Sequence, residues 1–227
     1  RPKIFTEAVP TGGLTTVNDD LEEGKSWQVD LGLRGQPAPY LYWDASVFWI
    51  HFDDQIGTVG TSFQNVGRTV HRGAEAALEI ELLGLADALH GESGRLRNHQ
   101  FSLYGNVMLL DAEIKAGALA GNTPQYAPDH IIRAGGIYRW KDRAKVALLG
   151  TFLDDHFAND NNALQNFRVP AYAVWDLTLE CKVYRDTVSV LAGVNNLFDE
   201  SYYSRIRPDG IDPAYGRNYY VGVTLAF

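Results

Sequence analysis

Nine segments of this chain alternate apolar with polar residues at a period of two. That period places successive side chains on opposite sides of a strand, so it restricts the chain to β-sheet with two unlike faces. The segments are Trp27–Arg34, Leu41–Trp49, Glu75–Leu82, Phe101–Asp111, Ile132–Trp140, Lys145–Phe152, Trp175–Val183, Thr187–Asn195 and Asn218–Phe227. Phe101–Asp111 is the more apolar on both faces; elsewhere one face is apolar. The other face carries Glu75, Glu79 and Glu81 in the third segment, Arg133 and Arg139 in the fifth, and Asp176, Glu180 and Lys182 in the seventh. Two architectures satisfy this pattern. A soluble sandwich turns its polar face to water and its apolar face to a core, whereas a large barrel in lipid is apolar outside and polar within. Alternation by itself does not separate them.

Connection lengths favour the barrel. Gly35–Pro39, Lys141–Asp142 and Tyr184–Asp186 are short, while Asp53–Asn65, Ala112–Pro128, Phe157–Pro170 and Asp199–Tyr215 are long. Transmembrane barrels alternate short periplasmic turns with long extracellular loops in this way. Gly84–Asn98 is long where a short turn is expected, and reads as an extended periplasmic turn with a helical turn at Leu85–Leu89. Aromatic residues near strand ends suit a girdle at the membrane–water interface: Trp27, Tyr40, Tyr42, Trp49, Tyr138, Trp140, Tyr172, Tyr184, Tyr219 and Tyr220. The alternative is the ordinary β-propensity of Tyr and Trp.

Composition narrows the classes further. Hydrophobic residues make up 45% of the 227 and aromatics 12%, yet mean hydropathy is −0.21. No apolar run approaches the roughly 18 residues of a membrane-spanning helix, whereas strands of roughly 10 alternating residues can span. A net charge of −8 argues against nucleic acid, whose binding rests on Lys and Arg. The single cysteine, Cys181, excludes an internal disulfide. No signal peptide opens the chain, and Arg1–Gly24 reads as a loop belonging to something upstream, so an exported protein of this kind is expected to be a mature fragment.

The final segment runs Tyr219, Val221, Val223, Leu225 and Phe227 along its apolar face. An alternating strand that ends on Phe looks like the signal read by the outer-membrane barrel assembly machinery. Upstream, Asn196-Leu197-Phe198-Asp199 with Tyr202 and Tyr203, followed by Gly216-Arg217 and the last strand, resembles the closing motif of TonB-dependent receptors. Asn65-Val66-Gly67 with His71-Arg72-Gly73-Ala74-Glu75, Ala127-Pro128-Asp129-His130, and Val169-Pro170-Ala171-Tyr172 with Trp175-Asp176-Leu177 resemble further segments of the family, in the right order. Within it, the chain looks most like the ferric-citrate receptors.

The resemblance implies an all-β, antiparallel transmembrane barrel in the bacterial outer membrane. Residues 1–227 would be its carboxy-terminal portion, the last nine strands of about 22 around a plugged lumen. The plug domain, the earlier strands and the contact with the TonB–ExbB–ExbD energising complex would lie outside this chain. The implied function is uptake of a ferric chelate, with cobalamin, zinc or a sugar as alternative ligands and a non-transporting barrel such as an adhesin as the alternative class.

Neither enzyme nor resident cofactor is expected. His156 follows Asp154-Asp155 and His51 precedes Asp53-Asp54, but neither has a motif-level serine partner, and a loop His beside solvated carboxylates accounts for both. His71, His130 and His156 lack the pair spacing of a metal site. Ferric chelates are often anionic, and Arg grips carboxylates bidentately. Arg68, Arg72, Arg205, Arg207 and Arg217 fall in or beside extracellular loops, with Tyr202, Tyr203 and Tyr215 in the final one. These eight are the ligand-binding candidates; solvated loop residues and structural ion pairs are the competing reading.

Overall fold

A computed structural model describes residues 18, 20–59, 62–65, 67–92, 98–162, 167–184, 187–207 and 209–226. In chain order the elements are β1 (Lys25–Ala38), β2 (Leu41–Asp53), β3 (Ile56–Val59), β4 (Ser62–Asn65), β5 (Thr69–Glu81), α1 (Leu82–Leu89), β6 (His99–Ile114), β7 (His130–Trp140) and β8 (Ala144–Leu153). Then come β9 (His156–Phe157), β10 (Arg168–Val169), β11 (Tyr172–Tyr184), β12 (Val188–Asn195), β13 (Tyr203–Arg207), β14 (Gly210–Pro213) and β15 (Asn218–Leu225). Nine of the strands form one antiparallel sheet in the order β1-β2-β5-β6-β7-β8-β11-β12-β15. The pairs β3-β4, β9-β10 and β13-β14 are small hairpins or ladders inside three of the long connections.

Register decides what each face is. Leu31 lies opposite Val47, Val47 opposite Ala74, Ala74 opposite Leu109. Farther along, Val146 lies opposite Leu179, Leu179 opposite Ala192, and Ala192 opposite Val221. One face thus runs predominantly apolar across all nine strands, and among the described residues no second sheet covers it: Leu31 is 71% exposed and Val221 75%. A soluble protein does not leave so wide an apolar face in water. The sandwich is excluded, and the apolar face is the lipid-facing outside of a transmembrane barrel. The sheet is open at β1 and β15, each of which pairs on one side.

The opposite, polar face faces the lumen. There Arg139 donates from Nη1 to Glu79 Oε1 at 2.9 Å and to Ser102 Oγ at 3.2 Å. Tyr220 lies across Gly193, where a Cβ would meet its ring at 2.4 Å, and its hydroxyl is 2.9 Å from Thr178 Oγ1. Glycine at 193 is therefore a close-approach requirement that lets an aromatic ring span three strands.

Several expectations need correction. Tyr42 pairs with Glu79, Tyr172 with Leu153 and Tyr220 with Gly193, so these three sit on the polar face and do not belong to the girdle. On the apolar face His99, Tyr138 and Trp140 stack at the short-turn end, with centroids 6.0 and 6.5 Å apart from the histidine. Leu82 is not the end of a strand but the first residue of α1, which runs longer than the single turn expected. Glu81 explains the switch: its carboxylate accepts from Leu83 N–H and Gly84 N–H at 3.1 and 2.5 Å and caps the helix. Strand β5 begins at Thr69 instead of Glu75, and Gly67 lies before it in a loop with φ of +94°. Strand β1 continues through a bulge to Ala38, which leaves Pro39-Tyr40 as the turn. Phe227 and most of Arg1–Gly24 lie outside the described residues.

The two faces predict opposite responses to the same substitution on adjacent strands. Leu179→Arg puts a charge in lipid and is expected to destabilise the assembled barrel by about 2–4 kcal/mol near mid-membrane. Leu191→Arg, on the lumen side opposite Glu180, is expected to stay within about 0.5 kcal/mol. Urea unfolding of the full-length protein in lipid measures both; equal losses would refute the face assignment.

Candidate functional site

Apart from the connection that carries α1, the long connections emerge at one end of the sheet, where a small buried cluster forms among the described residues. Ala158, Val169 and Ile206 are buried together, with Tyr126 and Phe167 packed against them. These five residues come from three loops. Tyr126 N–H donates to Phe157 O at 2.7 Å, and its hydroxyl donates to Ile206 O at 2.9 Å. Thr123 N–H donates to Asn162 Oδ1 at 2.6 Å, and Asn162 Nδ2 returns a bond to Thr123 O at 3.0 Å. Asp160, fully buried, accepts at Oδ1 from Gln125 N–H at 2.9 Å. The loops after β6, β8 and β12 are thus stapled into one cap.

The motif residues act as fasteners. Asn65 holds the segment before β1 to the β3-β4 hairpin: Glu22 N–H donates to its Oδ1 at 2.8 Å, and its Nδ2 donates to Glu22 O at 3.0 Å and Asp54 O at 2.8 Å. Asn196, only 3% exposed, sits at φ of 53°. Its backbone N–H donates to Asp176 Oδ1 at 2.8 Å, its Oδ1 accepts from Glu200 N–H at 2.8 Å, and its Nδ2 donates to Glu200 O at 2.8 Å and Tyr215 O at 3.3 Å. Asp199 Oδ1 accepts from Arg217 N–H at 2.8 Å. Asn and Asp tolerate a left-handed backbone and bond nearby backbone groups, which is why they start this loop.

Beneath the final loop, on the polar face, lies a cavity of about 350 Å³. Val174 and Asp176 of β11, Asn195, Asn218, Tyr202 and Tyr215 border it. Tyr202 packs on Tyr172 with ring centroids 4.3 Å apart. Burial first, and the Asp176 carboxylate second, raise the Tyr202 phenol above its usual pKa, so it stays a neutral hydroxyl.

The profile of a family described as TonB dependent receptor-like, beta-barrel, matches residues 3–197. The chain belongs to this family. It is therefore a bacterial outer-membrane barrel protein. The ferric-pyoverdine M114 receptor PbuA of Pseudomonas sp. (strain M114) is 27% identical over 168 residues, 72% of this chain and 19% of that receptor. Among solved structures, the ferric citrate transporter FecA in its unliganded form superposes with a TM-score of 0.67 at 24% identity, over 88% of this chain and 31% of FecA. The copper transporter OprC superposes with a TM-score of 0.68 at 20% identity, over 92% and 31%. These likenesses show the same barrel fold. The chain spans about a fifth of the curated relative (19%) and under a third of these structures (31% of each).

Within this receptor barrel the eight candidates do not converge. Arg72 lies within β5 on the outer face, opposite Trp49 and Asp111, and donates to Asp111 Oδ2 at 2.6 and 2.9 Å. Arg68 is 3.4 Å from Asp53 Oδ1. Arg207 is held by Asp212 at 2.5 Å, a hydrogen bond that raises its pKa. Arg205 lies over the Tyr126 ring at 5.9 Å, and Arg217 reaches Leu197 O at 3.4 Å. Only Tyr202 and Tyr215 join the cavity, and Tyr203 is exposed. The motif reading missed Asn195, Asn218 and Asp176 as cavity residues. The available signal was position: each falls on the polar face near a long loop.

Removing the Asn196 side chain should loosen the final loop. Asn196→Ala loses three side-chain hydrogen bonds and leaves a non-glycine, non-Asn residue in a left-handed conformation, at a cost of about 2–3 kcal/mol. Limited proteolysis is expected to cut 199–217 faster while the barrel stays folded; unchanged cutting would show that Asn196 does not hold the loop.

Proposed function

We propose that the chain is the carboxy-terminal portion of a TonB-dependent receptor that imports a ferric chelate, ferric citrate or another siderophore. Family membership carries this reading, together with the cavity at the loop end of the lumen face. The curated relative and several of the similar structures are named for ferric complexes. Two unpaired strand edges are not tolerated in a bilayer, so further strands close the barrel, and a plug domain fills it. Those parts, with the contact to TonB–ExbB–ExbD, belong to sequence beyond this chain. We propose that the barrel assembly machinery reads β15 through its apolar face, Tyr219, Val221, Val223 and Leu225. The work is binding and release, with no covalent step.

All five tryptophans, Trp27, Trp43, Trp49, Trp140 and Trp175, pair across the apolar face and point to lipid. Their fluorescence reports poorly on a lumen ligand, so calorimetry is the suitable readout. The full-length receptor in detergent, titrated with ferric citrate, ferric hydroxamates, ferric catecholates, cobalamin, zinc and copper, is expected to bind one ferric chelate with submicromolar affinity. Tight binding of cobalamin or a bare metal ion instead would replace the ligand class. Silence throughout would favour a non-transporting barrel.

A further inference from the structure

We propose that the cavity beneath the final loop takes a hydrogen-bond-donating arm of the transported ligand, an ammonium or guanidinium group, and excludes polycarboxylates such as citrate. This rests on the ferric-chelate reading above and adds the chemistry that its site selects.

The amide and serine donors that border the cavity are engaged by the protein. Asn195 Nδ2 donates to Asn218 Oδ1 at 2.8 Å, and Asn218 Nδ2 donates to Gly216 O at 3.1 Å. Ser204 Oγ donates to Asp212 O at 3.0 Å, and Asn196 Nδ2 is divided between Glu200 O and Tyr215 O. Unengaged carboxylate and amide oxygens remain, beside the Tyr202 and Tyr215 hydroxyls, which can donate or accept. Asp176 uses Oδ1 for Asn196 N–H, so among the described residues its Oδ2 and Asn195 Oδ1 accept no hydrogen bond.

Charge points the same way. No Lys or Arg borders the cavity, while Asp176 does. The arginines of the final loop point to other partners: Arg207 to Asp212, Arg205 to the Tyr126 ring and Arg217 to the Leu197 carbonyl. An entering carboxylate would lose water and find no countercharge, which is costly. A cation would meet a carboxylate, an amide oxygen and the aromatic rings of Tyr202 and Tyr215, a setting that favours it through charge-assisted hydrogen bonds and cation–π attraction. The volume fits a side arm and not a whole ferric siderophore.

The test uses the full-length receptor in detergent and three probes: ferrioxamine B, a linear ferric trihydroxamate ending in an ammonium; the same chelate with that amine acetylated; and ferric citrate. Calorimetry is expected to show ferrioxamine B binding about tenfold or more tighter than its acetylated form, the scale of one charged hydrogen bond, and ferric citrate weakest. Asn195→Leu should erase that preference, and Asn195→Asp should sharpen it. Asp176 is left intact because it also holds Asn196; heat-modifiable mobility on gels verifies that each variant forms a barrel. Equal affinity for the free and acetylated amines, or tight ferric citrate binding untouched by either variant, overturns the proposal while leaving transport standing. Silence toward all three probes while another chelate of the wider panel binds also overturns it, and silence across that panel overturns the transport reading. The cation could instead come from the receptor's own plug. In that case Asn195→Leu would open a ligand-free leak in planar bilayers, and that result overturns the ligand assignment.

Discussion

A single ladder of backbone hydrogen bonds runs without a break from β1 to β15, and the rest of the molecule depends on its register. A slip of one residue anywhere would turn a strand's apolar side chains from lipid into the lumen. The two irregularities in the ladder, at Gly35/Ala38 and Lys182/Tyr184, both fall at the short-turn end, beyond the stretch that spans the bilayer. Faces therefore stay aligned through mid-membrane. The same ladder explains why nine strands are insufficient alone: inside lipid every backbone group needs an internal partner, and the outer edges of β1 and β15 have none in this sheet.

A sheet whose apolar face is turned to lipid has no interior of its own, so the loops must build theirs. Ala158, Val169 and Ile206 are a small core, closed by Tyr126 and Phe167. Hydrogen bonds do much of the remaining work there, because loop backbone must be satisfied wherever it is buried. Asp160 and Asn162 act as side-chain substitutes for strand partners. The Asn65, Asn196 and Asp199 motif positions belong to this economy of backbone satisfaction. Their family-like spacing reflects how a loop is fastened to a barrel wall, not how a ligand is held.

The barrel's architecture was readable in the sequence because it depends on period two and on loop length, both local properties. All nine sheet strands and the polar placement of Glu79, Arg139 and Asp176 follow from alternation alone. The girdle expectation took aromatic residues by closeness to strand ends and set aside the parity that alternation assigns them. Tyr219 and Tyr220 are neighbours with the same propensity, yet one faces lipid and the other covers Gly193. Helix α1 also escaped, since Leu82 continues the strand's apolar pattern, and only the capping geometry of Glu81 ends the strand there.

The candidate site was harder because it depends on pairings between loops far apart in sequence. Counting arginines near the loops suggested an anion-binding mouth, but the chain carries 28 acidic residues against 20 basic ones. With that excess, several exposed arginines pair with a carboxylate: Arg68 with Asp53, Arg72 with Asp111, Arg168 with Asp155 and Arg207 with Asp212, while Arg205 and Arg217 contact a ring and a carbonyl. Such exposed pairs contribute little to stability, about 0–1 kcal/mol each, yet they consume the positive charge that an anionic ligand would need. The field left at the mouth follows the surplus. Asp176, which no basic side chain among the lining residues answers, is where that surplus borders a half-open cavity, the feature on which the proposed preference for a cationic arm rests.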